Sequence, residues 1–331
     1  MLKTGAIIDE GYIKNKIDPS VDILDEIRRM RKEKNAVILA HYYQTGDIQD
    51  IADFVGDSLA LSRKAAVVDA DVILLAGVHF MAETTKLLAP DKKVLVPDLN
   101  AGCSLSDSCK PEDFAKFISE NPDRTVITYI NSSAEIKALS DIVCTSSNAF
   151  QIVESLPTDE KVIFAPDRNL GNYIKRKVRR DMLVWDGACH VHEEFSLEAI
   201  LKVKKENPDA LIIVHPECEL PVRMVADFIG STSSLLSFVQ SDKSSKYIVV
   251  TEPGIIHQMK NFCPDKIFIP APPKDSTCGC SECNFMKLIT LEKIYNSLKY
   301  ELPEVFMVES LMDRAVKPIR RMLEMSDQMG I

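Results

Sequence analysis

Long hydrophobic runs, a basic surplus and a leader-like amino terminus are all missing from this sequence. No apolar run of about 18 residues occurs in the chain of 331 residues, so no segment is predicted to span a membrane. Residues 1–18 mix charged and apolar side chains without the apolar core of a signal peptide, so we expect a cytoplasmic protein. Lysine and arginine number 40 against 49 acidic residues, and the net charge of −9 disfavours a general nucleic-acid binder.

Cysteine is the residue type with an unusual count. Nine cysteines are an odd number in a chain expected in a reducing compartment, so a disulfide framework is not expected. Metal binding or catalysis is the better explanation for some of them, although an isolated cysteine is more often a small buried hydrophobic residue. The nine are Cys103, Cys109, Cys144, Cys189, Cys218, Cys263, Cys278, Cys280 and Cys283.

An internal repeat organises the chain, whose length suggests two or three domains. Three strand-like apolar runs end at His41, Tyr129 and His215, and an amphipathic helical stretch precedes each run. In each copy, an aspartate follows the strand end after the same number of residues. A hydroxyl residue also follows the strand end after a constant, larger number of residues. The aspartates are Asp53, Asp141 and Asp227, and the hydroxyl residues are Ser58, Ser146 and Thr232.

Each copy of the repeat predicts a small α/β unit. Three apolar strands alternate with helices, which is typical of a parallel sheet buried on both faces. Copies of about 87 residues around a pseudo-threefold axis would form a triangle of α/β/α sandwiches. The expected organisation is an N-terminal extension over residues 1–21, repeats over 22–110, 111–195 and 196–283, and a C-terminal helical segment over 284–331.

The carboxyl ends of the strands are where ligands bind in sheets of this kind. One cysteine per repeat reaches an equivalent place after the third strand. Three thiolates without a close fourth ligand fit a [4Fe-4S] cluster with one open iron, whereas zinc on three cysteines and three unrelated core cysteines are the alternatives. The cysteines concerned are Cys103, Cys189 and one among Cys278, Cys280 and Cys283.

Polar residues near the strand ends predict an anion pocket. The three hydroxyl residues of the repeat precede helices, where they act as N-caps or, together with the helix N-termini, bind a carboxylate or phosphate. His41 and His215 end equivalent strands, which favours contact with a ligand over a core role. Glu217 beside His215 is a candidate general acid or base, and the alternative is a charge that stabilises a helix start.

The sequence motifs at these positions resemble those of the quinolinate synthase family over about Ile23 to Arg321. The order and number of the motifs make the resemblance specific. They are HYYQ at 41–44, VGDSL at 55–59, PDxxAGCS at 97–104, YIN at 129–131, TSSNA at 145–149, CxVH at 189–192, HPEC at 215–218, GST at 230–232 and CxxMK at 283–287.

The resemblance implies the fold, the cofactor and the reaction. Iminoaspartate would condense with dihydroxyacetone phosphate to give quinolinate, phosphate and water in de novo NAD biosynthesis. The open iron of a [4Fe-4S] cluster would act as a Lewis acid. A further partner would be the L-aspartate oxidase or dehydrogenase that supplies iminoaspartate, and neither nucleic acid nor a membrane would be involved.

The resemblance also implies roles for individual residues. Cys283 would complete the cluster with Cys103 and Cys189, and we expect it to open a helix whose N-terminus favours the thiolate. Tyr43, Glu217 and His192 are the candidates for proton transfer. The residues expected to line the substrate pocket are His41, Ser58, Tyr129, Asn131, Ser146, His215, Glu217 and Thr232. The cysteines interpreted as structural are Cys109, Cys144, Cys218 and Cys263.

Two other functions share part of this pattern. A hydro-lyase with an open-iron cluster would act on a hydroxy acid and would need no phosphate site. An electron carrier would hold its cluster with four cysteines, often in a compact motif. The wide spacing of the three equivalent cysteines and the polar residues at the strand ends favour a cluster that a substrate can reach.

Overall fold

The computed structural model describes residues 5–274 and 281–331, which form two compact units. One unit comprises Met1–Cys103 and Asn284–Val316, and the other comprises Ser104–Cys283 and Lys317–Ile331. Cys278 and Cys280, which the sequence analysis does not assign to the cluster, lie outside the described residues. The domain boundaries expected from the repeat stay a prediction.

The first unit contains a four-stranded parallel sheet with spatial order β4-β3-β5-β6. A short antiparallel hairpin precedes it, formed by β1 (Ile8–Asp9) and β2 (Tyr12–Ile13). The strands of the sheet are β3 (Ala36–His41), β4 (Phe54–Gly56), β5 (Val72–Ala76) and β6 (Lys93–Leu95). Its helices are α1 (Ile23–Glu33), α2 (Gly46–Ile51), α3 (Ser58–Val67) and α4 (His79–Leu88).

The second unit contains two further four-stranded parallel sheets. The spatial order of the first of these is β10-β9-β7-β8. Its strands are β7 (Thr125–Tyr129), β8 (Ile142–Cys144), β9 (Val162–Ala165) and β10 (Met182–Val184). The accompanying helices are α5 (Ser104–Asp107), α6 (Pro111–Ser119), α7 (Ala134–Lys137), α8 (Ala149–Ser155), α9 (Arg168–Val178) and α10 (His190–Glu193).

The other sheet of the second unit has the spatial order β12-β11-β13-β14. Its strands are β11 (Leu211–Val214), β12 (Phe228–Ile229), β13 (Lys246–Val250) and β14 (Ile267–Pro270). The accompanying helices are α11 (Leu197–Glu206), α12 (Leu220–Arg223), α13 (Thr232–Ser241) and α14 (Ile255–Phe262). All three sheets therefore have one topology, and the predicted α/β class with a threefold repeat of parallel sheets is confirmed.

The chain after Cys283 is mainly helical, as expected. A 3₁₀ turn (Met286–Leu288) is followed by α15 (Leu291–Tyr300) and α16 (Glu309–Met329). Among the described residues no helix is both long and apolar enough to cross a membrane.

The repeated aspartates explain why the sequence spacing is constant. Each carboxylate accepts a hydrogen bond from a backbone N–H of the central strand at 2.8 Å. The backbone N–H of the same aspartate donates to the carbonyl of that strand residue at 2.8–2.9 Å. This reciprocal pair joins the central strand to the segment that leads into the short edge strand. The pairs are Asp53 with Ile38, Asp141 with Val126, and Asp227 with Ile212.

Three of the remaining cysteines lie in apolar cores. Cys109 packs with Phe114 and Ile163, and burial with a smaller contribution from Asp113 raises the pKa of its thiol to about 12. Burial likewise raises the thiol pKa of Cys144. Cys218 lies in the core of the third sheet, where burial is again the main cause of a thiol pKa well above the ordinary value. These environments fit the structural role expected for these three cysteines.

Candidate active site

Glu217 lies just after β11, and three side chains of the second unit surround it. Tyr129, the last residue of β7, donates its hydroxyl hydrogen to Oε1 of Glu217 at 2.5 Å. Nδ1 of His192 lies 3.2 Å from Oε2, and Nδ1 of His215 lies 3.7 Å from Oε1. Tyr129 is 5 % exposed and the other three residues are each 2 % exposed. Four of the sequence-predicted residues of the second and third repeats thus form one buried polar cluster: Tyr129, His192, His215 and Glu217.

The surroundings of Glu217 determine its charge. Burial by itself opposes ionisation, but the charges of His192 and His215, with hydrogen bonds from His192 and Tyr129, lower the pKa of this carboxyl well below its usual range. Glu217 is therefore a carboxylate at neutral pH. In that state it accepts a proton or stabilises a positive charge, and it does not act as an acid.

His192 on α10 is held in one orientation. Its Nε2 lies 3.0 Å from Oγ1 of Thr251, the residue after β13. Its ring stacks on His215 with the ring centroids 4.6 Å apart. Because one ring nitrogen is bonded to the threonine hydroxyl, the other nitrogen is directed at Glu217.

His41 and His215 share a local turn in their respective units. The backbone N–H of Tyr43 donates to Nδ1 of His41 at 3.1 Å, and that of Glu217 donates to Nδ1 of His215 at 3.4 Å. At His41 an accepting Nδ1 carries no proton, so the neutral ring has its proton on Nε2, whereas His215 in its charged form also carries a proton on Nε2. The repeat therefore presents a ring N–H donor at two strand ends and places Tyr43, Asn131 and Glu217 at equivalent positions.

The turn that carries Tyr43 in the first unit is clamped from two sides. Lys287 donates from Nζ to the Tyr43 carbonyl at 2.7 Å. Gln49 donates from Nε2 to the Gln44 carbonyl at 2.8 Å. The Tyr43 ring packs edge-on against His41 with the ring centroids 4.5 Å apart. The position of Tyr43 thus depends on the segment that follows Cys283 as well as on its own strand.

Two of the repeat hydroxyl residues are not helix caps. Asp57 caps α3, whose first residue is Ser58. Ser231 caps α13, whose first residue is Thr232. The N-cap alternative is therefore wrong at these two positions, because the preceding residue already accepts the helix N–H group.

The starts of α8 and α13 come together in the second unit. Ser146 lies before the N-cap residue of α8. Its neighbour Ser147 donates its hydroxyl hydrogen to Oγ of Ser231 at 2.9 Å, and its own Oγ lies 3.3 Å from Oγ of Ser233. Ser146 and Thr232 each adjoin this contact in sequence, so two of the three repeat hydroxyl residues lie on neighbouring segments.

The three cysteines that the resemblance assigns to a cluster are half-buried. Cys103 follows β6 in the first unit, and Cys189 immediately precedes α10 in the second. Cys283 donates its backbone N–H to Oε1 of Glu252 at 3.3 Å. The expectation that Cys283 opens a helix is wrong, because the next element is the 3₁₀ turn that begins at Met286. The family motif alone supports its assignment.

Sequence reasoning missed Asp167. This residue is fully buried and caps α9 by accepting the N–H of Leu170 at 2.6 Å. The N–H groups of Cys189 and Asn169 also favour the ionised carboxyl, but burial, followed by the charge of Glu217, raises its pKa well above the usual range. An aspartate before a helical stretch is an N-cap signal, so the sequence could have located the cap. Nothing in the sequence indicated its depth or its neighbours.

Two further observations concern polar groups of the second unit. Oδ1 of Asn131 is buried and accepts no hydrogen bond from the described residues. Such a group is costly to bury unless a ligand or water donates a hydrogen bond to it, which fits the predicted place of Asn131 in a substrate pocket.

Thr251, the hydrogen-bond partner of His192, was not predicted from the sequence, because the other two copies of the repeat have no hydroxyl residue at the corresponding strand end.

Parallel α/β sheets with a buried, polar-lined carboxylate beyond a strand end are typical of an α/β enzyme. The chain matches the family model described as Quinolinate synthetase A protein (NadA) over residues 25–324. A quinolinate synthase of Synechococcus sp. is 57 % identical over 309 residues, covering 93 % of this chain and 97 % of the relative.

Two more relatives with the same name show that the similarity extends over nearly the whole chain. That of Thermosynechococcus vestitus is 58 % identical over 306 residues, covering 92 % of this chain and 96 % of the relative. That of Chloroherpeton thalassium is 55 % identical over 306 residues, covering 92 % and 95 %. The chain belongs to the quinolinate synthase family of NAD-biosynthetic enzymes, and the resemblance inferred from its motifs is confirmed.

Proposed function

We propose that this enzyme condenses iminoaspartate with dihydroxyacetone phosphate to form quinolinate, phosphate and water. We further propose that Cys103, Cys189 and Cys283 hold a [4Fe-4S] cluster. The observation that carries the proposal is the buried Glu217 carboxylate with its tyrosine and histidine neighbours in a member of this family.

The chemistry of the cysteines fits a cluster of this type. The core cysteines of the second unit have raised thiol pKa values, which disfavour the thiolate that iron requires. Cys103 and Cys189 are half-buried and have equivalent places in the first two repeats, and the family motif adds the half-buried Cys283. A cluster with three protein ligands keeps one iron open, which supplies a Lewis acid for a substrate hydroxyl or carboxylate.

The substrates bring carboxylate groups and a phosphate, and the chain offers donors for them. His41 and His215 each present a ring Nε2–H group at a strand end. Ser58 and Thr232 begin helices of ten residues and do not serve as their caps. Hydroxyl groups and unpaired N–H groups at such helix starts bind anions well. The side-chain amide of Asn131 completes a set of donors and acceptors.

Proton transfer is assigned to residues around Glu217. The condensation requires a proton to leave a substrate carbon, and the Glu217 carboxylate accepts it. His192 contacts Glu217 and stabilises its carboxylate form, the form that accepts this proton. Tyr43 is the second candidate, and the bond from Lys287 to its carbonyl holds its backbone in place. Burial of the Glu217 cluster keeps water away from the imine that forms during the reaction.

Glu217→Gln tests this assignment, because it keeps the side-chain shape and removes the proton acceptor. The full chain is reconstituted anaerobically, and iron, sulfide and quinolinate are measured. We expect an intact cluster and turnover reduced by at least about 100-fold. Glu219→Gln is the matched control, since Glu219 is two residues away and pairs with Lys274 at the surface. Near-normal turnover of Glu217→Gln would exclude the role and make Tyr43 the leading candidate.

The cellular setting is part of the same proposal. An L-aspartate oxidase or dehydrogenase is the class of enzyme that would supply iminoaspartate, which is too easily hydrolysed to persist in water. Neither nucleic acid nor a membrane is a proposed partner, and the proposed location is the cytoplasm.

A further inference from the structure

Cys189, His192 and Glu217 form a group that resembles a mononuclear metal site. One ligand atom from each residue lies within 4.8 Å of the others. We propose that the cluster-free chain binds a single zinc ion on these three side chains, with the fourth position open, and that this ion blocks cluster assembly. The zinc site itself does not depend on the proposed function, but the blocking effect does, because it requires Cys189 to be a cluster ligand.

The spacing of the donor atoms matches tetrahedral zinc. Zinc binds imidazole nitrogen and carboxylate oxygen at about 2.0–2.2 Å, so two such ligands in a tetrahedron lie about 3.3 Å apart. Nδ1 of His192 and Oε2 of Glu217 are 3.2 Å apart. One ion therefore fits between these two atoms without displacing either residue. The sulfur of Cys189 lies close enough to complete the site by a change in its side-chain torsion.

Thr251 holds the ring of His192 in the orientation that a metal ligand requires. A histidine that binds a metal through one nitrogen normally donates from the other to a hydrogen-bond acceptor, which fixes the ring. Nε2 of His192 has such a partner in Oγ1 of Thr251, at 3.0 Å, and Thr251 is 1 % exposed. The ring is thus already oriented with Nδ1 toward the predicted ion.

The donor types select among metals. Thiolate and imidazole suit zinc and cobalt, whereas magnesium and calcium require oxygen ligands. When the ion binds, the Cys189 thiol loses its proton to solvent and a sulfur–metal bond forms. No oxidant or reductant is needed. Because the same ion uses Cys189 and Glu217, it removes a proposed cluster ligand and the proposed proton acceptor together.

The test uses the full chain freed of metal under reducing, anaerobic conditions and titrated with cobalt(II) as a spectroscopic substitute for zinc. We expect one equivalent of tetrahedral cobalt with a charge-transfer band of one thiolate. Zinc should displace the cobalt, and magnesium should not. A band of three thiolates, or the absence of saturable binding, would overturn the proposal.

Four variants identify the ligands. Cys189→Ser and His192→Gln should lose the cobalt band, while Cys103→Ser and Cys283→Ser should keep it. If Cys103→Ser loses the band as well, the ion sits on the three cysteines and the proposal is wrong. Circular dichroism confirms that each variant is folded.

Thr251→Val tests the orientation of His192 with all three proposed ligands retained. It is nearly isosteric, and we expect roughly tenfold weaker zinc binding, the lower end of the effect of losing such a partner. An unchanged affinity for zinc would show that Thr251 does not orient His192 for metal binding.

The test of the zinc site and the test of the proposed function can fail independently of each other. Zinc-loaded chain should assemble the cluster more slowly than metal-free chain, as measured by iron and sulfide content. Failure to bind zinc in a chain that assembles its cluster and forms quinolinate would remove only the zinc site. Zinc binding in a chain that forms no quinolinate after reconstitution would remove only the proposed function.

Discussion

Replacing Asp167 with alanine should destabilise the second unit and disturb the position of Cys189. Its carboxyl caps α9 through Leu170 and also faces the backbone N–H groups of Asn169 and Cys189. Loss of an N-cap costs about 1 kcal/mol, and leaving the buried N–H of Leu170 without an acceptor costs about 1–3 kcal/mol more. Asp167→Ala should therefore lower the free energy of unfolding by about 2–4 kcal/mol.

The matched control for this prediction is Asp22→Ala. Asp22 caps α1, a helix of 11 residues like α9, but it lies at the surface. Water can replace its carboxylate, so we expect a loss of at most about 1 kcal/mol. Asp167→Asn keeps one carbonyl oxygen for Leu170 and should fall between the two alanine variants.

Urea unfolding of the cluster-free chain, followed by circular dichroism, measures these differences. Hydrogen exchange of the peptide containing Cys189 supplies a local readout, and exchange should be faster in Asp167→Ala. The iron content after reconstitution should fall in that variant and stay normal in Asp22→Ala. Equal destabilisation by the two alanine variants, with unchanged exchange at Cys189, would refute the view that Asp167 positions this cysteine.

Three shorter predictions concern the other candidate residues. Cys283→Ser should lose the cluster absorbance at about 400 nm and all quinolinate formation, whereas Cys280→Ser should keep both; the reverse result would reassign the ligand. Ser58→Ala and Thr232→Ala should raise KM for the phosphate substrate, and an unchanged KM would remove them from the anion site. Because neither residue is a cap, we expect the half-buried Ser58→Ala to change the free energy of unfolding by less than about 0.5 kcal/mol and the buried Thr232→Ala to lower it by about 1 kcal/mol. Cys144, fully buried in its core, should resist iodoacetamide in the native chain and react after unfolding, as mass spectrometry would show.

Local sequence patterns were sufficient to predict most of the fold. The predicted strand ends at His41 and Tyr129 match the observed ends of β3 and β7, and the one at His215 lies one residue past the end of β11, because continuous burial on both faces leaves a continuous hydrophobic signal. The repeated aspartates were visible for a similar reason, since each bonds to a backbone only 15 residues away. The short edge strands β4, β8 and β12 were missed, because two or three residues are too few to show a period.

Side-chain detail at helix ends was harder to predict. The sequence contains an adjacent cap candidate at both Asp57–Ser58 and Ser231–Thr232, and only the backbone decides which of the two is the first helical residue. The expectation of a helix beginning at Cys283 was wrong for a related reason. A favourable composition does not determine whether a short segment forms a 3₁₀ turn or an α-helix.

The sequence by itself determined the threefold repeat, the parallel α/β class, the family and most of the candidate site residues, since these depend on periodicity and on motifs that are contiguous in the chain. Only the tertiary structure decided that Tyr129 and Glu217, 88 residues apart, share a hydrogen bond, and that Thr251 orients His192 from 59 residues away. Such contacts join different copies of the repeat, and their formation depends on how whole sheets pack. No spacing along the chain encodes that packing, because a buried side chain takes whichever partner the fold brings within about 3 Å.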